Sequence, residues 1–259
     1  MPELPDLQVF RHNLGKALLH KELKAIHVIN KKKLHTTEEV LKKALEGQHL
    51  KAIERIGKEL HFVFSNKHVL GMHLMLNGKL YLYHALNEQR HTIATLLFTD
   101  GTGLALTDFQ GQAALTLDPE EKAAPDALSD VVDETWMRAV LAKKKITIKK
   151  FLLDQKNILG IGNAYADDIL WDARISPFSI CNKIPEQKVK ALVKSIRYIL
   201  TNAEKLIRKH HPDLIHGEVR DYMLVHNHKL QKSPGGAEIL HDTSSGRKTY
   251  YTAEQELYA

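Results

Sequence analysis

The chain has 259 residues, of which 43% are hydrophobic and 26% are charged, and this balance is that of a globular protein with one or two domains. It excludes collagen-like, mucin-like and largely disordered chains. The single cysteine excludes an internal disulfide framework and any zinc site built on several thiolates. No apolar run reaches the roughly 18 residues of a membrane span, and the acidic first residues carry no signal-peptide pattern. We therefore expect a cytoplasmic protein, nucleoid-associated if it is bacterial.

Basic residues are distributed unevenly along the chain, whose formal net charge is +6. Lysines and arginines crowd residues 143–156 and 188–209, whereas residues 118–133 are acidic. A positive C-terminal half suits a partner that carries phosphates, but solvated helix faces would give the same pattern.

The first 118 residues read as a helix followed by many short strands. Apolar residues recur every three to four positions over 4–19, which predicts an amphipathic helix. A short helix is predicted over 37–45. Turn signals at Asn66-Lys67, Asn77-Gly78 and Asp100-Gly101 favour hairpins, and strands at this spacing predict an antiparallel β-sandwich. The predicted strands are 25–29, 50–56, 60–64, 69–74, 79–83, 93–98 and 103–107.

A change of pattern follows at residues 118–126, which contain two prolines and no apolar periodicity. Helices are predicted beyond it over 134–142, 146–153, 163–173 and 185–209, and residues 229–258 read as a hairpin with turns at 234–236 and 244–246. The fold class is therefore α+β. We predict an N-terminal domain over 1–118, a linker over 119–133, a helical domain over 134–228 and a β-hairpin over 229–259.

The first chemically suggestive feature is the proline in second position. Removal of Met1 would leave the secondary amine of Pro2 beside the carboxylate of Glu3. An α-amino group titrates near pH 8, roughly two units below lysine, so part of it is nucleophilic at neutral pH. Attack on an aldehyde-like carbon would give an iminium ion. On these residues alone, a frayed tail ahead of the helix-entry residue Pro5 is the preferred reading.

The second feature is a glycine turn between two predicted helices, within residues 154–168. Gly160 and Gly162 permit positive φ angles and close backbone approach, and Asn163 is predicted to cap the second helix. The N–H groups at that helix start would form an anion site. A tight turn without a ligand and a phosphate site are equally favoured, given the basic residues upstream.

Three motifs together resemble the formamidopyrimidine-DNA glycosylase and endonuclease VIII family. Met-Pro-Glu-Leu-Pro resembles its N-terminal signature, residues 155–175 its helix–two-turns–helix element, and Arg247-Lys-Thr-Tyr-Tyr251 the second strand of its C-terminal hairpin. The resemblance spans the whole chain. It implies an N-terminal β-sandwich flanked by helices, then a helix–two-turns–helix domain with a C-terminal β-hairpin.

The resemblance also implies a function: a bifunctional DNA glycosylase and abasic-site lyase of base excision repair, acting as a monomer on damaged or abasic double-stranded DNA. Such an enzyme excises oxidised or ring-opened bases through a proline imine and cleaves the strand by β- and δ-elimination. Pro2 would be the nucleophile, Glu3 the acid that protonates the sugar ring oxygen, and Lys58 the lysine near the flipped nucleotide. The implied DNA-binding residues are His73, Asn163, Arg247, Gly160, Gly162 and Lys156.

This sequence departs from the family pattern at Asp6 and in the C-terminal hairpin. Asp6 stands where the family usually has glutamate, which could be a simple replacement or could alter proton shuttling near Pro2. By alignment, the four cysteines of a family zinc finger are replaced by Ser233, Gly236, Thr252 and Gln255. We therefore predict no zinc and no other cofactor, with a zincless hairpin held by apolar packing and strand pairing around Tyr250 and Tyr251.

A third departure concerns the side chains that the family inserts into the gap left by a flipped nucleotide. Leu76 or Met75 would be one wedge, but Gln110 and Gln112 replace the family's arginine and phenylalanine unless Phe109 substitutes. Losing the arginine removes a hydrogen-bonding partner of the orphaned base, which leaves the preferred lesion and opposite base open. Two alternatives therefore remain: a family member that binds damaged or abasic DNA with weak or altered glycosylase activity, and a basic helical protein that binds RNA.

Overall fold

The computed structural model describes residues 1–243 and 246–259, so part of the turn predicted at 244–246 lies outside the described residues. The chain divides into two compact units. The first comprises Met1–Glu121 and Ile207–Glu218, and the second comprises Lys122–Leu206 and Val219–Ala259. The four-part functional division made from the sequence stays a prediction.

The first unit contains two antiparallel four-stranded sheets, which confirms the predicted sandwich. Its elements are α1 (Leu4–Leu18), β1 (Leu23–Val28), α2 (Glu38–Leu45), β2 (Leu50–Ile56), β3 (Glu59–Phe64), β4 (Val69–His73), β5 (Lys79–His84), β6 (Thr92–Phe98), β7 (Thr102–Thr107) and β8 (Ala114–Leu117). The strand orders are β1-β6-β7-β5 and β2-β3-β4-β8. Strand β8 is absent from the predicted strands, because four residues give too short a pattern to recognise.

Helix α1 is held against β2 by both apolar packing and polar contacts. Its stripe of Leu7, Phe10, Leu14 and Leu18 is buried in the core of the unit, as the apolar periodicity predicts. The Arg11 Nε donates to the Ile53 carbonyl at 2.9 Å, and the Arg55 Nε donates to the Gln8 side chain at 3.0 Å. The earlier helix residue, Gln8, contacts the later strand residue, Arg55, so α1 and β2 run antiparallel.

The second unit is helical with a short hairpin, and the predicted helices are confirmed within about two residues at each end. The helix predicted over 146–153 begins at Ile148, because Thr147 caps it by accepting the Lys150 N–H at 3.4 Å. None of the helices in the described residues is long and apolar enough to cross a membrane. The elements are α3 (Glu134–Leu141), α4 (Ile148–Leu153), α5 (Asn163–Asp172), a 3₁₀ turn (Cys181–Lys183), α6 (Glu186–His210), β9 (Leu240–Asp242) and β10 (Thr249–Tyr251).

Candidate functional site

The start of the chain is buried and fixed at the first turn of α1. Pro2 and Glu3 are both buried, and Glu3 precedes the first helical residue. Asp6 is fully buried, and its Oδ2 accepts the Glu3 backbone N–H at 3.0 Å. This bond satisfies an N–H group at the helix start, so the Asp6 carboxylate holds the backbone that carries Glu3.

A second carboxylate lies at the same place. The terminal ammonium group of Met1 forms an ion pair with Glu218, which belongs to the segment Ile207–Glu218 of the first unit. The side chains of Met1 and Glu218 are 28% and 34% exposed, so the pair is partly shielded from water. Sequence reasoning missed Glu218, because nothing in its local pattern connects it with a residue more than two hundred positions away.

Lys58 lies in the turn that joins β2 to β3 and is only 9% exposed. Gly57 adopts the left-handed conformation that this turn requires, with φ of 61°, and the Arg55 Nη1 donates to its carbonyl at 3.0 Å. Because α1 and β2 run antiparallel, the first residues of α1 approach this turn. The fold thus brings Pro2, Glu3 and Lys58 to one end of the first unit.

His73 lies at the same end of the sheet, at the last position of β4. It is paired with Glu59, the residue after Lys58. Its Nδ1 accepts the Met75 N–H at 3.0 Å, so in the neutral ring the proton is on Nε2, which is then a donor. His73 Nε2 can therefore donate a hydrogen bond to a phosphate oxygen, as the predicted contact requires.

The two predicted insertion loops also meet at this edge, because Ala114 at the start of β8 pairs with His73. In the first loop Leu76 is 66% exposed and Met75 is 37% exposed with φ of 53°. The loop returns so closely that a Cβ on Gly78 would lie 2.2 Å from the Leu74 carbonyl oxygen, so glycine is required there.

The second loop is shaped by the buried carboxylate of Asp108. This carboxylate accepts the backbone N–H groups of Gln110, Gln112 and Ala113 at 2.7–2.9 Å. The Gln112 side chain donates to the Gln110 carbonyl at 3.2 Å, and Phe109 is left 64% exposed at the loop tip. Among these residues Phe109 has the exposed aromatic surface that a wedge needs.

The glycine turn of the second unit is held by a residue that sequence reasoning named only as the start of its motif. The Gln155 side chain accepts the Gly160 N–H at 2.8 Å and donates to the Ile161 carbonyl at 3.0 Å. Gly160 has φ of 99°, whereas Gly162 is extended with φ of −117°, so only Gly160 needs positive φ. The Gly160 N–H already donates to the Gln155 side chain, so it stabilises the turn.

The prediction that Asn163 caps the second helix is wrong. Gly162 occupies the capping position, and Asn163 is the first residue of α5. The Asn163 side chain is directed elsewhere: its Nδ2 donates to the Lys248 carbonyl at 2.9 Å. This bond ties the glycine turn to the hairpin at the residue next to Arg247.

Arg247 and Lys156 are both exposed. Arg247 lines a cavity of about 630 Å³ together with Lys150 on α4 and Phe178. Within the second unit, the structure therefore brings together Asn163, the glycine turn and the segment that carries Arg247. Three cationic side chains and one carboxylate line the cavity beside them: Lys149, Lys150, Arg247 and Asp154.

Two buried aspartates on α5 fix neighbouring segments. The Asp167 carboxylate forms an ion pair with Lys149 at 2.6 Å and a hydrogen bond with His226 Nδ1 at 2.6 Å, and it accepts the Tyr250 N–H of the hairpin at 2.9 Å. Asp168 accepts three consecutive backbone N–H groups at 2.7–3.0 Å, and its burial raises its pKa to about 6. Sequence reasoning missed both, because a polar residue on a helix usually faces solvent.

Known families match both units. The formamidopyrimidine-DNA glycosylase N-terminal domain matches residues 1–115, and the formamidopyrimidine-DNA glycosylase H2TH domain matches residues 123–210. These domains are those of a DNA repair glycosylase. The chain belongs to the formamidopyrimidine-DNA glycosylase family, which confirms the resemblance carried by the three sequence motifs.

Relatives and solved structures agree with this assignment. The chain is 33% identical over 214 residues to a formamidopyrimidine-DNA glycosylase of Ligilactobacillus salivarius, covering 76% of this chain and 75% of the relative. It is 31% identical to that of Lactococcus lactis subsp. lactis, covering 97% of each. The Lactococcus lactis Fpg in complex with abasic-site DNA superposes with a TM-score of 0.88 at 28% identity, over 98% of this chain and 99% of that one. The predicted α+β fold class is thereby confirmed.

Proposed function

We propose that this protein is a bifunctional DNA glycosylase and abasic-site lyase that excises oxidised or ring-opened bases from double-stranded DNA. The observation that carries the proposal is the buried Pro2–Glu3 pair, fixed at the first turn of α1 and brought to the same end of the unit as Lys58. Structural neighbours in complex with abasic-site DNA and with DNA containing carbocyclic 8-oxo-G support the substrate class.

The reaction begins at the Pro2 nitrogen once Met1 has been removed. The nitrogen lone pair attacks C1′ of the damaged nucleotide, an N–C1′ bond forms, and the electron pair of the glycosidic bond leaves with the base. The Glu3 carboxyl group protonates the sugar ring oxygen, the ring opens, and the Pro2 nitrogen, having lost its proton, forms an iminium bond with C1′.

The iminium ion then drives strand cleavage. It withdraws electrons from C2′, so loss of a C2′ proton expels the 3′ phosphate by β-elimination. A second proton loss expels the 5′ phosphate by δ-elimination. Hydrolysis of the imine returns the free Pro2 amine. Lys58, beside the first turn of α1, places a cationic group where the phosphate of the flipped nucleotide would lie.

The remaining candidate residues would help to flip the damaged nucleotide out of the duplex and would bind the phosphates around it. The C1′ atom is hidden inside a duplex, so the nucleotide must be flipped at a cost of a few kcal/mol. Leu76 and Phe109 are the exposed side chains suited to fill the vacated space. His73 and Arg247 would bind phosphates as donors, and the Asn163 amide carries a second N–H besides the one that Lys248 accepts.

The test compares wild type, Pro2→Gly and Glu3→Gln on duplexes that carry an oxidised purine, an oxidised pyrimidine or a plain abasic site. We expect wild type to release a damaged base and cleave the strand. Either variant should lower base release by about 100-fold or more while duplex binding stays nearly intact. Wild-type release from no damaged duplex, or full activity of both variants, would contradict the proposal.

A second candidate function is favoured by one observation, the glutamines at positions 110 and 112. Their backbone N–H groups are fixed by Asp108, and neither offers a guanidinium group to an orphaned base. A protein that binds abasic DNA with weak glycosylase activity would form an imine on a plain abasic duplex but release damaged bases slowly. The same duplex panel separates the two functions, and competition with structured RNA at stated salt tests the RNA-binding alternative.

A further inference from the structure

The positions at which zinc-binding family members carry cysteine do not suit a metal in this chain. They supply two hydroxyl groups, an amide and a residue without a side chain, whereas structural zinc takes thiolate or imidazole ligands. The single cysteine, Cys181, is buried, and desolvation raises its pKa to about 12, so its thiol stays protonated. Within residues 1–243 and 246–259, no three His, Cys, Asp or Glu side chains are grouped to hold a metal ion.

The carboxylate of Glu254 lies among these aligned positions and connects the residues around it. The Glu254 Oε2 accepts hydrogen bonds from the Ser233 hydroxyl at 2.6 Å, the Trp171 indole N–H at 2.8 Å and the Thr252 hydroxyl at 3.1 Å. The Arg174 Nη1 lies 2.8 Å from Oε1, and its guanidinium stacks over the Trp171 ring at 4.4 Å. Ser233 and Thr252 occupy two of the positions aligned with the cysteines of the family zinc finger.

The neighbouring backbone is shaped to admit this carboxylate. A Cβ on Gly235 would lie 1.9 Å from Glu254 Oε1, so glycine allows the approach. Gln255, at a third of these aligned positions, accepts the Thr252 N–H at 2.8 Å and donates to the Ile175 carbonyl at 2.9 Å. The hairpin thus has a polar centre in addition to the predicted apolar packing, in which Tyr250 packs with Trp171 and Val225.

We propose that the Glu254 carboxylate takes the place of a metal ion, joining residues 233–236 and 252–255 to the end of α5 and so positioning the hairpin that carries Arg247. An ionised carboxylate accepts several hydrogen bonds at once and binds guanidinium, so it links four groups as a tetrahedral ion would. Hydrogen bonds from Ser233 and Trp171 and the nearby Arg174 lower its pKa to about 2, so it is ionised at physiological pH.

Hydrogen exchange and metal analysis test this role without DNA. Glu254→Gln keeps the size of the side chain and removes its charge. We expect exchange of the Ser233 and Ile239 amides, which bond across the segment, to accelerate about tenfold or more, and Trp171 emission to change. Glu238→Gln, an exposed carboxylate in the same segment, is the matched control and should change neither. Purified wild type should contain no bound metal, and a chelator should leave its protection unchanged.

Ser233→Ala removes one donor and keeps the carboxylate, so it remains informative if Glu254→Gln fails to fold; we expect about threefold faster exchange at the Ile239 amide. A stoichiometric metal in the purified protein, chelator-induced loss of protection, or wild-type exchange in both variants would overturn the proposal.

A DNA-binding measurement tests the consequence for Arg247, and only this arm rests on the proposed function. Glu254→Gln should weaken duplex binding, and adding it to Arg247→Ala should bring little further loss, because both changes act through the hairpin. Fully additive losses would contradict the positioning role. If wild type binds no duplex, the proposed function fails, while the exchange and metal results still decide the role of Glu254.

Discussion

At the start of the chain, the ammonium group of Met1 faces the Glu218 carboxylate one residue before the proposed nucleophile. Removal of Met1 would place the Pro2 amine within about one residue length of the same carboxylate. Other charged groups at this end of the unit are Glu3, Asp6 and Lys58. A negative neighbour favours the protonated amine and raises its pKa. Glu218 would therefore hold the amine in position but reduce its unprotonated fraction at low pH.

Replacing Glu218 by glutamine should lower the apparent pKa of the amine. We expect the acidic limb of the pH profile for imine formation to move down by about half to one pH unit, an estimate reduced for the partial exposure of the pair. Glu88→Gln, an exposed carboxylate in the same unit, serves as control. The profile is measured by reductive trapping on an abasic duplex, and an unshifted limb in Glu218→Gln would refute this role.

At the scale of the helices and strands, local sequence patterns predicted most elements, whereas polar contacts between distant residues were missed. The period of α1 and the alternation of the strands are local signals, so these elements were predicted nearly to their ends. The bond from Trp171 to Glu254 spans 83 positions, and that from Lys149 to Thr249 spans 100. Such contacts depend on the tertiary fold, so the spacing of residues in a single sequence does not predict them.

At the scale of the loops, Phe109 stands at the tip of a turn fixed by Asp108. We expect Phe109→Ala to lower damaged-base release from duplex DNA about tenfold, because base–aromatic stacking is worth roughly 1–3 kcal/mol. Imine formation on a single-stranded abasic substrate should be unaffected, since no stack has to be filled. The control is Leu86→Ala, an apolar side chain 72% exposed in another loop. Equal losses on both substrates would rule out a wedge role.

At the scale of the hairpin, Arg247 is the cation proposed to bind phosphate. Arg247→Ala should weaken duplex binding for all sequences alike and lower the slope of log affinity against log salt by about one. Lys43→Ala, on the exposed face of α2, should leave the slope unchanged. Affinity measured over a range of salt concentrations decides this, and an unchanged slope in Arg247→Ala would remove Arg247 from the phosphate contacts.

At the scale of the whole molecule, both tryptophans, Trp136 and Trp171, lie in the second unit. Their fluorescence reports its unfolding. Burial raises the pKa of Asp168 in the folded state to about 6, from an ordinary value of 3.8. The folded state therefore binds more protons between these values, so the stability from this group is present at low pH and is lost as pH rises through 6.

We expect the free energy of unfolding of wild type, minus that of Asp168→Asn, to be about 2 kcal/mol larger near pH 4.5 than near pH 7.5. The asparagine variant lacks this proton uptake. Asp221→Asn, an exposed aspartate of the second unit, is the control. Denaturant unfolding followed by tryptophan fluorescence gives the difference, and a difference independent of pH would show that Asp168 does not titrate in this range.

Catalysis by the Pro2 amine is tested most directly by reductive trapping of wild-type protein on an abasic-site duplex, with the cross-linked peptide identified by mass spectrometry. Intact mass first establishes that Met1 is absent. We expect one borohydride-stabilised adduct, located on the nitrogen of Pro2. An adduct on a lysine such as Lys58, or no adduct from protein whose chain begins at Pro2, would contradict it.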